Sequence, residues 1–99
     1  MKKLPPIHPG EILLEEFLEP MDITRTQLAR STSMPASRVG KIIVGERSIT
    51  ADTAVRLGRY FGNTPQFWMN LQARYDLRIA EQALSKTLAK EVAVYKSAS

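Results

Sequence analysis

Proline, glycine and capping residues cut this chain into short helical segments, and almost nothing between the cuts reads as strand. Pro9-Gly10 opens a stretch of roughly residues 10–18 in which Ile12, Leu13, Phe17 and Leu18 recur at helical spacing, and Pro20 closes it. Thr24 followed by Gln27 forms a capping box that starts a short helix through about Ser31, with Leu28 and Ala29 inward. A turn over Thr32–Met34 leads to Pro35, a residue suited to the first position of a helix. That third helix runs to about Val44 and stops at Gly45, with Val39, Ile42 and Ile43 on its inner side. Thr50 caps a fourth helix over about 51–61, with Ala54, Leu57 and Phe61 on one face and Gly62-Asn63 ending it. Thr64-Pro65 then starts a fifth, carrying Phe67, Trp68, Leu71 and Tyr75.

The pattern predicts an all-α fold of five to six helices. Beyond the fifth helix, Leu77, Ala80, Leu84, Leu88, Val92 and Tyr95 still step by three or four residues, so a helical extension is expected over about 65–95. Stripes of this kind must be buried, and a five-helix core this small lacks room for another. A dimer contact is therefore expected for the extension, with packing back on the monomer as the alternative. At 99 residues the chain has enough surface for one core, so a single domain over 1–99 is expected.

Charge and composition narrow the function. There is no cysteine, which removes disulfide and thiolate chemistry and fits a reducing, cytoplasmic setting. The opening Met1-Lys2-Lys3-Leu4-Pro5-Pro6 has no apolar run behind it, so no signal peptide is expected, and no stretch of eighteen apolar residues predicts a membrane span. Residues 1–21 carry a net charge of −2, residues 22–62 a net +4 and residues 63–99 a net +2. An acidic opening before an arginine-rich middle suggests two surfaces with different partners.

The informative unit is residues 24–47, two short helices joined by a tight turn (the helix-turn-helix proper over about 24–44). Burying Val39, Ile42 and Ile43 leaves Ala36, Ser37, Arg38 and Lys41 facing away. In a helix-turn-helix the second helix enters the major groove of double-stranded DNA, and its start and outer face meet base edges. Lys41 would donate to the acceptors of guanine, Ser37 to several bases, and Ala36 would touch a thymine methyl. Arg38 would reach a base or a phosphate. Thr24, Arg25 and Thr26, at a helix start with free amides, and Arg47, past the Gly45 turn, would grip phosphates on either side.

The string TRTQLARSTSMPASRVGKIIVGERSIT from Thr24 through Thr50 resembles the helix-turn-helix of phage-repressor-type (XRE-type, lambda-repressor-like) regulators. His8-Pro9-Gly10-Glu11 with Leu13, Leu28-Ala29, Gly45 to Thr50, Ala54 with Arg56-Leu57, and Phe67-Trp68 with Asn70-Leu71-Gln72 and Tyr75-Asp76-Leu77 further resemble the HigA-type (VapI-type) antitoxins, over about residues 7–84. The Trp68 to Leu77 stretch separates that group from generic repressors. The resemblance implies a homodimer that binds an inverted-repeat operator, represses its own toxin–antitoxin operon, and blocks a RelE-like ribonuclease toxin by direct binding. Three positions depart from the family's habit. Val44 stands where a polar residue is usual, Pro35 and Ala36 stand where polar readers are common, and Gly40 interrupts the recognition helix at a cost of about 1 kcal/mol relative to alanine. Gly40 would also let DNA approach closely.

Other readings of the residues are blander. His8 precedes Pro9 at a helix start, which favours a structural or solvent-exposed role over catalysis. Phe67, Trp68 and Tyr75 have the spacing of core residues rather than of a base-stacking set. Glu11, Glu15 and Glu19 line one face with Glu16 beside them. They lack a histidine in reach for metal ligation, and a solvated face competes with a toxin-docking role, suggested because an RNA-cutting toxin carries a basic groove. No glycine-rich phosphate loop and no HExxH zinc helix is present, so neither cofactor nor metal is expected, and the chain reads as a non-enzyme. Two rivals to the antitoxin reading remain: a stand-alone phage-type repressor without a toxin, and a protein-only interaction module with a vestigial helix-turn-helix.

Overall fold

The computed structural model of the chain describes residues 5–97. Lys2 and Lys3, counted in the charge of the opening, lie outside the described residues, as do the last two residues of the polar end. Helix α1 (Pro9–Ile12) passes without a break into a π-helical stretch (Leu13–Leu18). It is followed by α2 (Arg25–Thr32), α3 (Ala36–Ile43), α4 (Ala51–Phe61), α5 (Pro65–Leu84) and α6 (Leu88–Glu91), and no strand occurs among the described residues.

The starts and stops have local causes. His8 caps α1 through its ring: Nδ1 accepts the Gly10 N–H at 2.9 Å, with Pro9 at the first helical position. The Thr24/Gln27 box forms in both directions, at 3.0 and 3.4 Å. Thr50 Oγ1 accepts from Thr53 N–H and Thr64 Oγ1 from Phe67 N–H, each satisfying an amide that the helix leaves unpaired. Gly45 and Gly62 end α3 and α4 in the left-handed region, as expected of helix-stopping glycines. Ser33 takes the same conformation after α2, a role that glycine usually fills.

Three boundaries differ from the sequence reading. Thr32 belongs to α2 rather than to the turn; its hydroxyl donates to Leu28 O at 2.6 Å, which lets a polar side chain be buried there. Pro35 is the N-cap of α3, one position earlier than expected, with its backbone extended. The second half of the first helix is π-wound: Glu19 N–H reaches Leu14 O, five residues back. Closing each turn over five residues rotates the end of the helix so that Leu18 joins Leu13 in the core while Glu15 and Glu16 stay outside.

The core gathers Leu13, Leu18, Leu28, Val39, Ile42, Ile49, Ala54 and Leu57 around Trp68. Phe17 lies against both Phe61 and Trp68 with ring centroids 4.9 Å apart, and the indole N–H, which burial would otherwise strand, donates to Asn63 Oδ1 at 2.9 Å. Helix α1 crosses α3 so closely that a Cβ at Gly10 would overlap the carbonyl of Ile42. Glycine there is a packing requirement, and it fixes the height of α3 against the body.

Beyond Tyr75 the molecule changes character. Every residue from Ile79 to Ser97 is exposed. The 20-residue α5 is about 30 Å long, and it carries the chain out of the globule to give an elongated body of 57 × 31 × 22 Å. The expected stripe does not run unbroken to Tyr95: α5 ends at Leu84, a turn over 85–87 intervenes, α6 stops at Glu91, and no helix follows among the described residues. Packing back on the monomer, one of the two outcomes expected for the stripe, does not occur.

Candidate nucleic-acid interface

Helix α3 is two-sided. Val39 and Ile42 are almost wholly buried and Ile43 nearly so, while Ala36, Ser37 and Lys41 are exposed. Burying three branched side chains from an eight-residue helix contributes about 1.5–3 kcal/mol each. That anchors the helix from behind and leaves its outer side to polar and small groups. Lys41, on which the outward reading of α3 depends most, is exposed. A Cβ added at Gly40 would meet no atom within 4 Å, so that position borders open space.

Arg38 is the exception. It was expected to face outward with Ser37 and Lys41, and is instead turned across to α4. Its Nη1 donates to Asp52 Oδ1 at 3.0 Å, its side chain is 24% exposed, and its Nε is buried without a partner among the described residues. The same carboxylate oxygen accepts from Arg56 Nε at 2.8 Å. Arg56 in turn donates through Nη1 to Thr32 O at 2.9 Å and to Ser33 O at 3.4 Å, the carbonyls that α2 leaves open at its end. One chain of hydrogen bonds therefore joins the end of α2, the first turns of α4 and the start of α3. The Arg56 guanidinium, and then that of Arg38, hold the Asp52 carboxyl below its usual range.

The expected phosphate-binding residues lie at two other points of the unit. Thr24, Arg25 and Thr26 are exposed at the start of α2. The Thr24 hydroxyl is already used as a cap, so the first-turn amides and the Arg25 side chain are what this end offers to an anion. Arg47 is exposed beyond the Gly45 turn. That loop is held from inside by Gln72 of α5: the Ile49 N–H donates to Gln72 Oε1 at 2.7 Å, and Gln72 Nε2 donates to Asp76 at 3.0 Å. A buried glutamine on a distant helix thus sets the path of the segment that carries Arg47.

The acidic groups lie on the first helix. Glu11, Glu15, Glu16 and Glu19 are all exposed along the first helix, and the Glu11 charge above all raises the Glu15 carboxyl from its ordinary value. Glu11 and Glu15 flank a shallow groove floored by Leu14, Val44 and Tyr75, at the C-terminal end of α3. His8 lines the same groove and is spent on packing: its ring caps α1, meets Tyr75 edge-on at 4.9 Å and rests against Gly45. Asp52, Arg56, Gln72 and Gly10 escaped the sequence reading of the site. Helical register places Asp52 and Arg56 one turn apart on α4 and so marks their pairing, but nothing in the sequence pairs either with Arg38.

Known proteins share this sequence and fold. The helix-turn-helix family model matches residues 14–68. Virulence-associated protein I of Dichelobacter nodosus is 51% identical over 80 residues, which cover 81% of this chain and 74% of that protein. Antitoxin HigA-1 of Vibrio cholerae is 43% identical over 72 residues, covering 73% of this chain and 68% of that protein. The antitoxin HigA of Pseudomonas aeruginosa, solved with the higBA promoter, superposes with a TM-score of 0.88 at 47% identity, covering 92% of this chain and 99% of that one. The chain belongs to the phage-repressor-like (XRE-type) helix-turn-helix family, within the group that contains the HigA- and VapI-type antitoxins.

Proposed function

We propose that this protein is a sequence-specific DNA-binding antitoxin that represses its own toxin–antitoxin operon and neutralises a ribonuclease toxin of RelE-like type by direct contact. The observation that carries the DNA half is the two-sidedness of α3, with Val39 and Ile42 locked into the core and Ser37 and Lys41 exposed above them. A relative that superposes on nearly its whole length was solved with promoter DNA, which supports the same assignment here.

In this reading 1–99 is a single helix-turn-helix domain with an extension. Ala36, Ser37 and Lys41 face base edges. Arg38 joins them when released from Asp52. Thr24, Arg25, Thr26 and Arg47 bind phosphates and set the register. The projecting arm pairs two copies, so that two α3 helices address an inverted repeat about one helical turn apart or a multiple of it. The Glu11/Glu15/Glu16/Glu19 face takes the basic toxin. The protein acts in the cytoplasm, on the nucleoid, without cofactor or metal and without catalysis. No helix among the described residues is long and apolar enough to cross a membrane.

The test is co-purification of this protein with the product of the neighbouring gene, followed by footprinting of the DNA upstream of the pair. A protected inverted repeat and a stable complex with a small basic protein are expected. Protection without any such partner gene would favour a stand-alone repressor. Absence of binding to any duplex at low salt would leave only a protein-interaction module.

A further inference from the structure

We propose that Asp52 is a specificity-setting residue: it holds Arg38 off non-cognate DNA, and the arginine is released only where a matching site competes successfully for it. The inference rests on the DNA-binding reading above and adds a device to it. Asp52 Oδ1 is the one hydrogen-bond partner that Arg38 has among the described residues, whereas Arg56 keeps the Thr32 and Ser33 carbonyls if the carboxylate is lost. The two arginines therefore differ. Arg56 is fixed by three acceptors and belongs to the scaffold, and Arg38 hangs from one.

The hold on Arg38 is incomplete by design of its surroundings. Its Nε is buried and unpaired, a standing cost that a two-point contact with a phosphate or a guanine would relieve, because Nε and an Nη donate in parallel. Asp52 is 58% exposed on its side chain, so water and salt weaken the pair and leave it breakable. Arg38 also sits on the third residue of α3, on the same turn as Ala36 and Ser37. A guanidinium neutralised in place adds nothing to the general attraction for phosphate, which is where binding without sequence preference comes from. Freed, it adds one cation to the interface.

Two variants and a cycle test this, with a random-sequence duplex and the DNA immediately upstream of the gene as probes. Asp52→Asn is expected to steepen the dependence of log affinity on log salt by about 0.9 on the random duplex. That is a roughly 3-fold larger loss of affinity between about 50 and 200 mM salt. Affinity for the random duplex at low salt should rise more than affinity for the upstream DNA, so discrimination falls. Asp52→Ser, which keeps a residue type suited to a helix start, should behave alike.

Deleting a negative charge near DNA would strengthen binding by itself, so the same substitution is repeated with Arg38→Ala in place. The gain should then shrink to the part owed to bare charge. A gain of equal size in both backgrounds overturns the proposal, as does an unchanged salt slope in a variant whose circular dichroism and melting are those of a folded protein. If neither Asp52 variant folds, the carboxylate is a structural tie and the proposal falls. Wild-type protein that binds neither probe at low salt would sink the DNA-binding reading itself, a result distinct from the others.

Discussion

Two halves of α5 carry apolar residues at the same helical spacing and end in opposite surroundings. In the first half Trp68 is 0% exposed, ringed by Phe17, Phe61 and Phe67, and Gln72 reaches through to hold the loop before α4. In the second half Leu77 is 62% exposed, and Val92, in the segment beyond, is 60% exposed. The difference lies not in the residues but in whether another element lies opposite. Helices α1 and α4 pack on the first half of α5 and His8 reaches Tyr75, whereas from Ile79 onward every described residue is exposed. Periodicity reports that a face must be covered; only the fold reports by what.

The comparison is broken most sharply by truncating each half. Trp68→Ala should cost about 3–5 kcal/mol, lowering the melting temperature steeply or preventing folding, because the indole is the centre of the core. A melt close to that of the wild type would mean that the core does not depend on the first half of α5. Gln72→Ala comes next: the buried Ile49 N–H would lose its acceptor at a cost of about 1–3 kcal/mol. Hydrogen exchange at Ile49 should speed up more than exchange in the middle of α4. Equal loss of protection at both would assign Gln72 to the general core.

Acid tests the other anchor of the same face. Burial lowers the His8 imidazole below its ordinary 6.5, against a smaller opposing pull from Asp76. The folded state thus binds its proton less readily than the unfolded chain. The stabilisation that neutral His8 provides is present above pH 6.5 and is lost as pH falls from there through the lower folded-state value. Protonated Nδ1 cannot accept from Gly10 N–H, so the cap of α1 goes with it. The melting temperature should fall across that window in the wild type. His8→Asn, which keeps a capping oxygen that does not titrate, should flatten the slope; an unchanged slope would move the titration to another group. At the small end, Leu77→Ala should change the monomer's stability by no more than about 0.5 kcal/mol. Its effect should appear in the association state, read by sedimentation, and unaltered self-association would clear Leu77 of any part in pairing.

The same contrast explains how far the sequence could be read. Caps and stops are local chemistry, so Thr24 with Gln27, Thr50, Thr64-Pro65, Gly45 and Gly62 marked helix ends that the structure places within a residue or so. The inner faces followed from spacing, which is why Val39, Ile42, Leu57 and Trp68 were legible as core. What escaped depends on partners far along the chain. The turn of Arg38 toward Asp52, 14 positions away, the Gln72 bond to Ile49 across 23, and the need for glycine at position 10 arise only once the helices are packed. The π-winding escaped for a similar reason: Glu15, Glu16 and Leu18 fit an α-helical pattern nearly as well, and the pull of Leu18 into the core decides between them.

Position 40 offers a finer probe of the outward face. Gly40→Ala meets no atom of the protein and should stabilise α3 by up to about 1 kcal/mol. If DNA lies against that surface, the same change should weaken binding, so stability and affinity would move in opposite directions.

The measurement that bears most directly on the whole account is a set of affinities, at one fixed salt concentration, for the protected upstream site and its single-base-pair variants. Lys41→Ala should lose about 1–3 kcal/mol of discrimination at one base pair while keeping the others. Arg47→Ala should weaken every duplex alike and flatten the salt slope. Specificity that survives Lys41→Ala intact at every position would contradict the assignment of the outer side of α3 to the DNA.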